Sequence, residues 1–348
     1  MRQVGGKHSS DPSEESAPSL RGKGSRAPLT QLEKIARALA QAAYETSSVR
    51  IVPHDLTDMS HLVATRNGLF AVNEQRYVRI AHGSFYGLSL REDSVFAFEA
   101  CDLAGLPTRR GRIVELERTG NRFAAARVMI DGLDNGCHQI DFIDGRLAIL
   151  DSQRQRILLL NEEGTALEPV YPLGALVERA WSKGYVHINS LAQIGDHVLL
   201  LLHNGAAYTG RPSEVAMFDL RWREIGRWQL PGEGCHNIVV LEDGRVLSCG
   251  SAAGEIIDLD GVLAKLSNRM TRGLSVDSTT IVVGASKFSA RRGRETTAGA
   301  VMFLDRDYQV RTTFELPGAP TEIRRLDGCD LGLSSFRNTL PPRFRAPG

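Results

Sequence analysis

The chain has 348 residues, 42% of them hydrophobic, which is ample for a large core and excludes a fibrous or wholly disordered protein. Its 42 Lys and Arg balance 41 Asp and Glu at a net charge of +1, without the basic excess that nucleic-acid binding requires. The longest purely apolar run, Val198 to Leu202, is far short of the about 20 residues that span a membrane.

The first 30 residues contain no apolar secretory core, and the five cysteines (101, 137, 235, 249, 329) include no CxxC pair. Both features point to reduced thiols in a cytoplasmic setting. Residues 1–28, rich in Ser, Gly, Pro and charge, read as a disordered tail. A helix and linker occupy 29–58. Thr30 is its cap, Glu33 completes a capping box, and Leu32, Ile35, Ala36 and Leu39 recur at helical spacing.

From residue 59 to 338 the pattern is one of short apolar runs between turn dipeptides: Asn67-Gly68, Asp144-Gly145, Glu163-Gly164, Asp243-Gly244, Asp260-Gly261 and Asp327-Gly328. Three segments superpose: Cys137-His138-Gln139-Ile140, Val186-His187-Ile188-Asn189 and Cys235-His236-Asn237-Ile238. Their histidines are spaced 49 residues apart. Gly87, Gly273 and Glu322 begin weaker copies. Such a period, with several strands per unit, predicts an all-β fold, a β-propeller of six blades. The sixth unit runs out of chain before 339–348, a second tail. N-terminal strands at 61–65, 69–73 and 76–80 complete it and close the ring. If His61 opens a blade of its own, the count is seven.

On this blade rhythm, residues 60 to 335 resemble the six-bladed propellers that include the NHL-type proteins and the gluconolactonase and senescence-marker family. In a propeller the first strand of each blade lines the central channel, so His138, His187 and His236 converge on one axis. Three imidazoles there predict a divalent metal, Zn or Fe first and Ca or Mn as alternatives, with an open position for water or substrate. The arrangement is similar in outline to the peptidylglycine amidating lyase domain, in which three histidines hold zinc beside catalytic Arg and Tyr. That resemblance implies roles for Arg272, Tyr185 and Tyr86. The lactonases use an acidic and amide metal set instead. The carotenoid oxygenases use four channel histidines, a pattern that His61 would extend here. The alternative is that the three histidines pack the blades.

Glu322 takes the histidine position in the last copy and is a candidate fourth ligand or general base. His197 and His203 fall off the column, and Cys137 and Cys235 are expected to pack away from the channel. Two arginine-rich loops, one holding Arg109, Arg110 and Arg112 and the other Arg291, Arg292 and Arg294, are candidates for a basic rim. The expected function is therefore a metal-dependent lyase or hydrolase acting on a small-molecule substrate. The competing class is a non-catalytic scaffold whose loops bind a protein partner.

Overall fold

The computed structural model describes residues 29–103, 106–176, 184–205, 210–287 and 297–333. The expected tails 1–28 and 339–348, and Arg291, Arg292 and Arg294, lie outside the described residues.

Helix α1 (Gln31–Glu45) begins at Thr30, whose hydroxyl accepts from the Glu33 amide at 3.2 Å while the Glu33 carboxylate accepts from the Thr30 amide at 2.7 Å. Its apolar residues stay outside: Leu32 and Leu39 are 72% and 67% exposed. Polar contacts hold the helix instead. Arg37 pairs with Asp102 at 2.9 Å, and Tyr44 donates to the Arg109 carbonyl at 3.2 Å. Arg112, buried against Glu99 at 2.7 Å, donates to the carbonyls of Ala43 and Ser48 at the helix C-terminus, where a cation is favoured. With Arg110 facing Glu45 at 3.5 Å and Arg109 on the Gly132 carbonyl, this loop anchors the helix.

The propeller has six four-stranded antiparallel blades. Blade 1 contains β1 (His61–Thr65), β2 (Gly68–Val72) and β3 (Tyr77–Ala81). Blade 2 is β4 (Phe85–Arg91), β5 (Ser94–Ala100), β6 (Gly111–Thr119) and β7 (Arg122–Leu133). Blade 3 is β8 (Ile140–Ile143), β9 (Arg146–Asp151), β10 (Arg156–Leu160) and β11 (Leu167–Val170). Blade 4 is β12 (Ile188–Ile194), β13 (His197–Leu202), β14 (Glu214–Asp219) and β15 (Glu224–Gln229). Blade 5 is β16 (His236–Val240), β17 (Val246–Gly250), β18 (Glu255–Ile257) and β19 (Val262–Lys265). Blade 6 is β20 (Met270–Val276), β21 (Ile281–Ser286), β22 (Gly299–Leu304) and β23 (Val310–Leu316). The final strand, β24 (Pro320–Arg325), pairs with β1, Ala64 opposite Glu322, and becomes the inner strand of blade 1. The ring thus closes through both chain ends, and His61 opens no seventh blade.

The core lies between blades, one apolar cluster per junction. Within β13, Val198, Leu200 and Leu202 pack toward blade 3, while Leu199 and Leu201 pack toward blade 5. A strand covered on both faces needs no polar alternation, which explains why the longest apolar run falls here. Outer strands such as β15 and β23 return to alternation because one face meets water. The axis is different: it is lined by polar side chains, and there the blades meet the chemistry. No helix among the described residues is long and apolar enough to cross a membrane.

Candidate active site at the histidine end of the channel

Four inner strands break register at the same end of the channel. The shifts fall between Phe85 and Leu88, Ile188 and Ser190, His236 and Val239, and Thr271 and Leu274. Bulges of this kind re-aim side chains. His187 and Asn237 take left-handed backbone angles, φ +54° and +65°, each costing roughly 1–2 kcal/mol for a residue other than glycine. The bulge in blade 2 brings β4 so near β8 that a Cβ on Gly87 would lie 2.6 Å from the His138 carbonyl oxygen.

These bulges surround a tight space of about 10 Å³ to which every blade contributes: Tyr86, His138 and Gln139, Asn189 and Ser190, His236 and Asn237, Arg272, and Thr321 with Glu322. His187 stands beside it, its ring 5.4 Å from that of His138. The structure adds a fourth imidazole. His203, expected off the column, lies 4.4 Å from the His187 ring and 4.9 Å from that of His236. The expectation fails because β13 returns antiparallel beside β12, so the His203 amide reaches the His187 carbonyl at 3.2 Å. Four rings therefore run in sequence from His138 to His236.

Their tautomers follow from their partners. His138 Nδ1 donates to the Gly136 carbonyl at 2.8 Å, which leaves Nε2 with the lone pair. His236 Nδ1 lies 2.7 Å from the Ser251 hydroxyl, which itself donates to the Cys249 carbonyl, so Nδ1 carries the proton and Nε2 the lone pair. His203 is reversed: Nε2 donates to the Cys235 carbonyl at 2.6 Å. Burial pushes the His203 pKa down to about 4, and the Arg272 charge acts in the same direction. Burial, then Arg272, holds His236 well below the ordinary imidazole value. Both are neutral bases at neutral pH.

Beneath the histidines lies a buried ion pair. Glu322 accepts from Arg324 at 3.1 Å and from the Asn237 side-chain amide at 2.9 Å; Asn237 in turn accepts from the Gly273 amide at 2.9 Å. Burial raises the Glu322 pKa to about 7 against the opposing pull of Arg324. The channel is blocked below this pair. The Leu331 amide bonds to the Val276 carbonyl, Asp330 accepts from Ser275 at 2.6 Å, and Gly332 packs against Arg324 and Val239. Arg324, Asp330 and Asp141 are each no more than 1% exposed. Among the described residues, the axis is closed below the ion pair and polar at the histidine end.

The structure thus gathers His138, His236, Arg272 and Glu322 around one cavity. Tyr185 lies 5.6 Å from the His187 ring but lines a neighbouring groove with Val186, Asn204, Arg211 and Glu214. His61 lies elsewhere, bonded to the Ser60 hydroxyl and packed on Phe303. Cys137 and Cys235 are fully buried, and burial lifts the Cys235 thiol to about 12. Among the described residues, no group of three or more His, Cys, Asp or Glu side chains is arranged to hold a metal ion.

No family model matches the chain, and no curated protein is detectably similar to it. Among solved structures, it is similar to a chain of the nidogen/laminin complex, at 11% identity and a TM-score of 0.51, over 77% of this chain and 98% of that one. Virginiamycin B lyase from Staphylococcus aureus aligns at 11% identity and a TM-score of 0.45, over 78% and 89% of the two chains. A dihydro-heme d1 dehydrogenase aligns at 10% and 0.38, over 80% and 68%. At these identities the likeness is one of fold: the chain is a six-bladed β-propeller whose polar axis holds a cluster of histidines.

Proposed function

We propose that this propeller is an enzyme, a lyase or hydrolase, that binds a small molecule at the histidine end of its channel. One observation carries this reading: two imidazoles with fixed Nε2 lone pairs and a buried carboxyl of pKa about 7 face the same cavity. A neutral imidazole and a carboxyl poised near the working pH are the groups that move protons most effectively at neutrality. His236 Nε2 takes a proton from the substrate or from an attacking water. Glu322, held by Asn237 and Arg324, is the second proton carrier. Arg272 offsets the negative charge that develops on the reacting oxygen, as a fixed cation does in a site sheltered from water. Tyr86 and Asn189 orient the ligand.

A divalent metal, Zn or Fe before Ca or Mn, is a second reading. It is favoured by the Nδ1 anchors of His138 and His236, which are of the kind that orient metal-bound imidazoles. His187 would then be the third ligand. The spatial grouping does not fit a metal in the described arrangement, so no step is assigned to one.

Turnover of a metabolite mixture, followed by mass spectrometry, tests the proposal. The expected result is consumption of at least one small molecule by the wild type and its loss in His236→Asn, while His197→Gln, at the far end of β13, turns over normally. Stoichiometric metal on the purified protein, lost in His138→Ala, would select the second reading. No turnover by the wild type, or equal turnover by His236→Asn, overturns the proposal.

A further inference from the structure

Two buried amides line the histidine cavity with their NH2 groups uncommitted. Gln139 and Asn189 are each 3% exposed, and neither Gln139 Nε2 nor Asn189 Nδ2 has a hydrogen-bond partner among the described residues. Their oxygens fix which way they face. Gln139 Oε1 accepts from the Leu191 amide at 2.8 Å, across the junction of blades 3 and 4. The Ser190 hydroxyl accepts from the Asn237 amide at 2.9 Å and gives its own proton to Asn189 Oδ1, 3.1 Å away. Each amide therefore presents donors only. A buried donor left without an acceptor costs about 1–3 kcal/mol, so two of them fixed around one space call for a shared acceptor.

Neighbouring polar groups do not supply it. Asn237 gives its amide to Glu322 and its oxygen to the Gly273 amide, and the Thr321 hydroxyl is taken by the carbonyls of Ala64 and Phe85. His236, whose Nδ1 is held by Ser251, brings the Nε2 lone pair to the same space. At about 10 Å³ this space is close to the least that one water requires, and a larger group has no room. A water accepts two hydrogen bonds and donates two, so it satisfies both amides and gives a proton to His236. A metal ion would be repelled by the two NH2 groups. A halide would face the imidazole lone pair and lie beside Glu322.

We infer that Gln139 and Asn189 seat a single water and that this water, activated by His236, is the nucleophile, which makes the enzyme a hydrolase and not a lyase. The inference deepens the acid–base reading and rests on it. His236 Nε2 takes one hydrogen of the water as a proton. The electron pair of that O–H bond stays on oxygen and forms the new bond to the substrate's electrophilic carbon, while the two amides hold the oxygen in place. The bond from that carbon to the leaving group breaks, its electron pair departs with the leaving group, and Glu322 supplies that group's proton. The proton on His236 returns through solvent to Glu322, so water is the only co-reactant consumed.

The test follows the water itself. A high-resolution crystal structure of the full-length protein should show one oxygen-sized peak about 2.7–3.2 Å from Gln139 Nε2, Asn189 Nδ2 and His236 Nε2. No peak there, or an anomalous scatterer about 2.0–2.1 Å from the imidazole nitrogen, overturns the seat. Turnover of the metabolite mixture in heavy-oxygen water should place one solvent oxygen in the product. Gln139→Met keeps the length of the side chain and removes the donor, so the peak should be lost and kcat should fall about 10- to 100-fold with KM little changed. Wild-type kcat in the folded variant overturns the assignment; if the variant does not fold, the peak and the label in the wild type decide alone. Unlabelled product from a wild type that His236→Asn inactivates overturns this inference and leaves the acid–base reading standing. A seated water in a wild type that turns nothing over overturns both.

Discussion

Glu322 and His236 are shifted in opposite directions by the same burial, and this sets the pH behaviour at the residue scale. Glu322, the proton donor beside the base His236, loses its proton near pH 7, so kcat/KM should fall above about pH 7 and that fall should vanish in Glu322→Gln. That variant also leaves the buried Arg324 charge without its carboxylate, so a stability loss of about 3–5 kcal/mol should accompany it in denaturant unfolding. For stability the signs oppose. His61, His203 and His236 are depressed, so the unfolded chain binds more protons below about pH 6.5, and stability falls as pH drops toward 4. Glu322 is raised, so its own contribution falls as pH rises from 4.5 to about 7. With His82 also depressed, the depressed histidines outnumber the two raised carboxyls, Glu322 and Glu99. His203→Asn should remove one proton from that difference, flattening the acid side of the stability curve by up to about 1.4 kcal/mol per pH unit. An unchanged slope would show that His203 is not buried neutral. At this scale His138, His236 and Glu322 followed from the repeat, while Arg272 entered only through a resemblance. His203 was not, because the repeat aligns residues along the chain and His203 arrives from the neighbouring strand. Counting outward from the Gly195-Asp196 hairpin would have placed Asn204 opposite His187, and the bulge between Ile188 and Ser190 brings His203 there instead.

At the scale of elements, the capping box foretold α1, but nothing in the helix told how it is held. Its apolar side chains are exposed, and it depends on Arg112, which came from a loop that read as a basic rim. Arg112→Met should therefore release α1 and leave Glu99 buried without its cation, with a loss of about 3–5 kcal/mol by denaturant unfolding and rapid hydrogen exchange across 31–45. Protection of α1 equal to wild type would contradict this account. The bulges of β4, β12, β16 and β20 were equally hidden. They depend on which partner residue a strand meets, whereas composition reports only that a strand exists. They also explain why equal spacing of three histidines did not produce three equivalent positions: the cavity takes Asn189 and Ser190 from blade 4, while His187 sits beside it.

For the whole molecule, the repeat arithmetic was sufficient. Inner strands beginning near 87, 138, 187, 236, 273 and 322 are those of the six blades, and the shortage of chain after 322 required closure by the first strands. Ending the chain at residue 318 should remove β24, Glu322 and Arg324 together and expose the edge of β1, so cooperative unfolding should be lost and the product should associate. A monomer with a wild-type unfolding transition would refute that role for the closure. The ring also brings polar residues remote in sequence onto one axis, and the central claim is that His138, His236 and Glu322 act there as one unit. The direct measurement is a double-variant cycle on kcat/KM with His138→Ala and His236→Ala. Each single change should cost on the order of 100-fold or more, and the double variant should be little worse than the poorer single, because a unit that has lost one member has little left to lose. Small, independent losses that multiply in the double variant would contradict the claim and leave the histidines as packing residues of the blades.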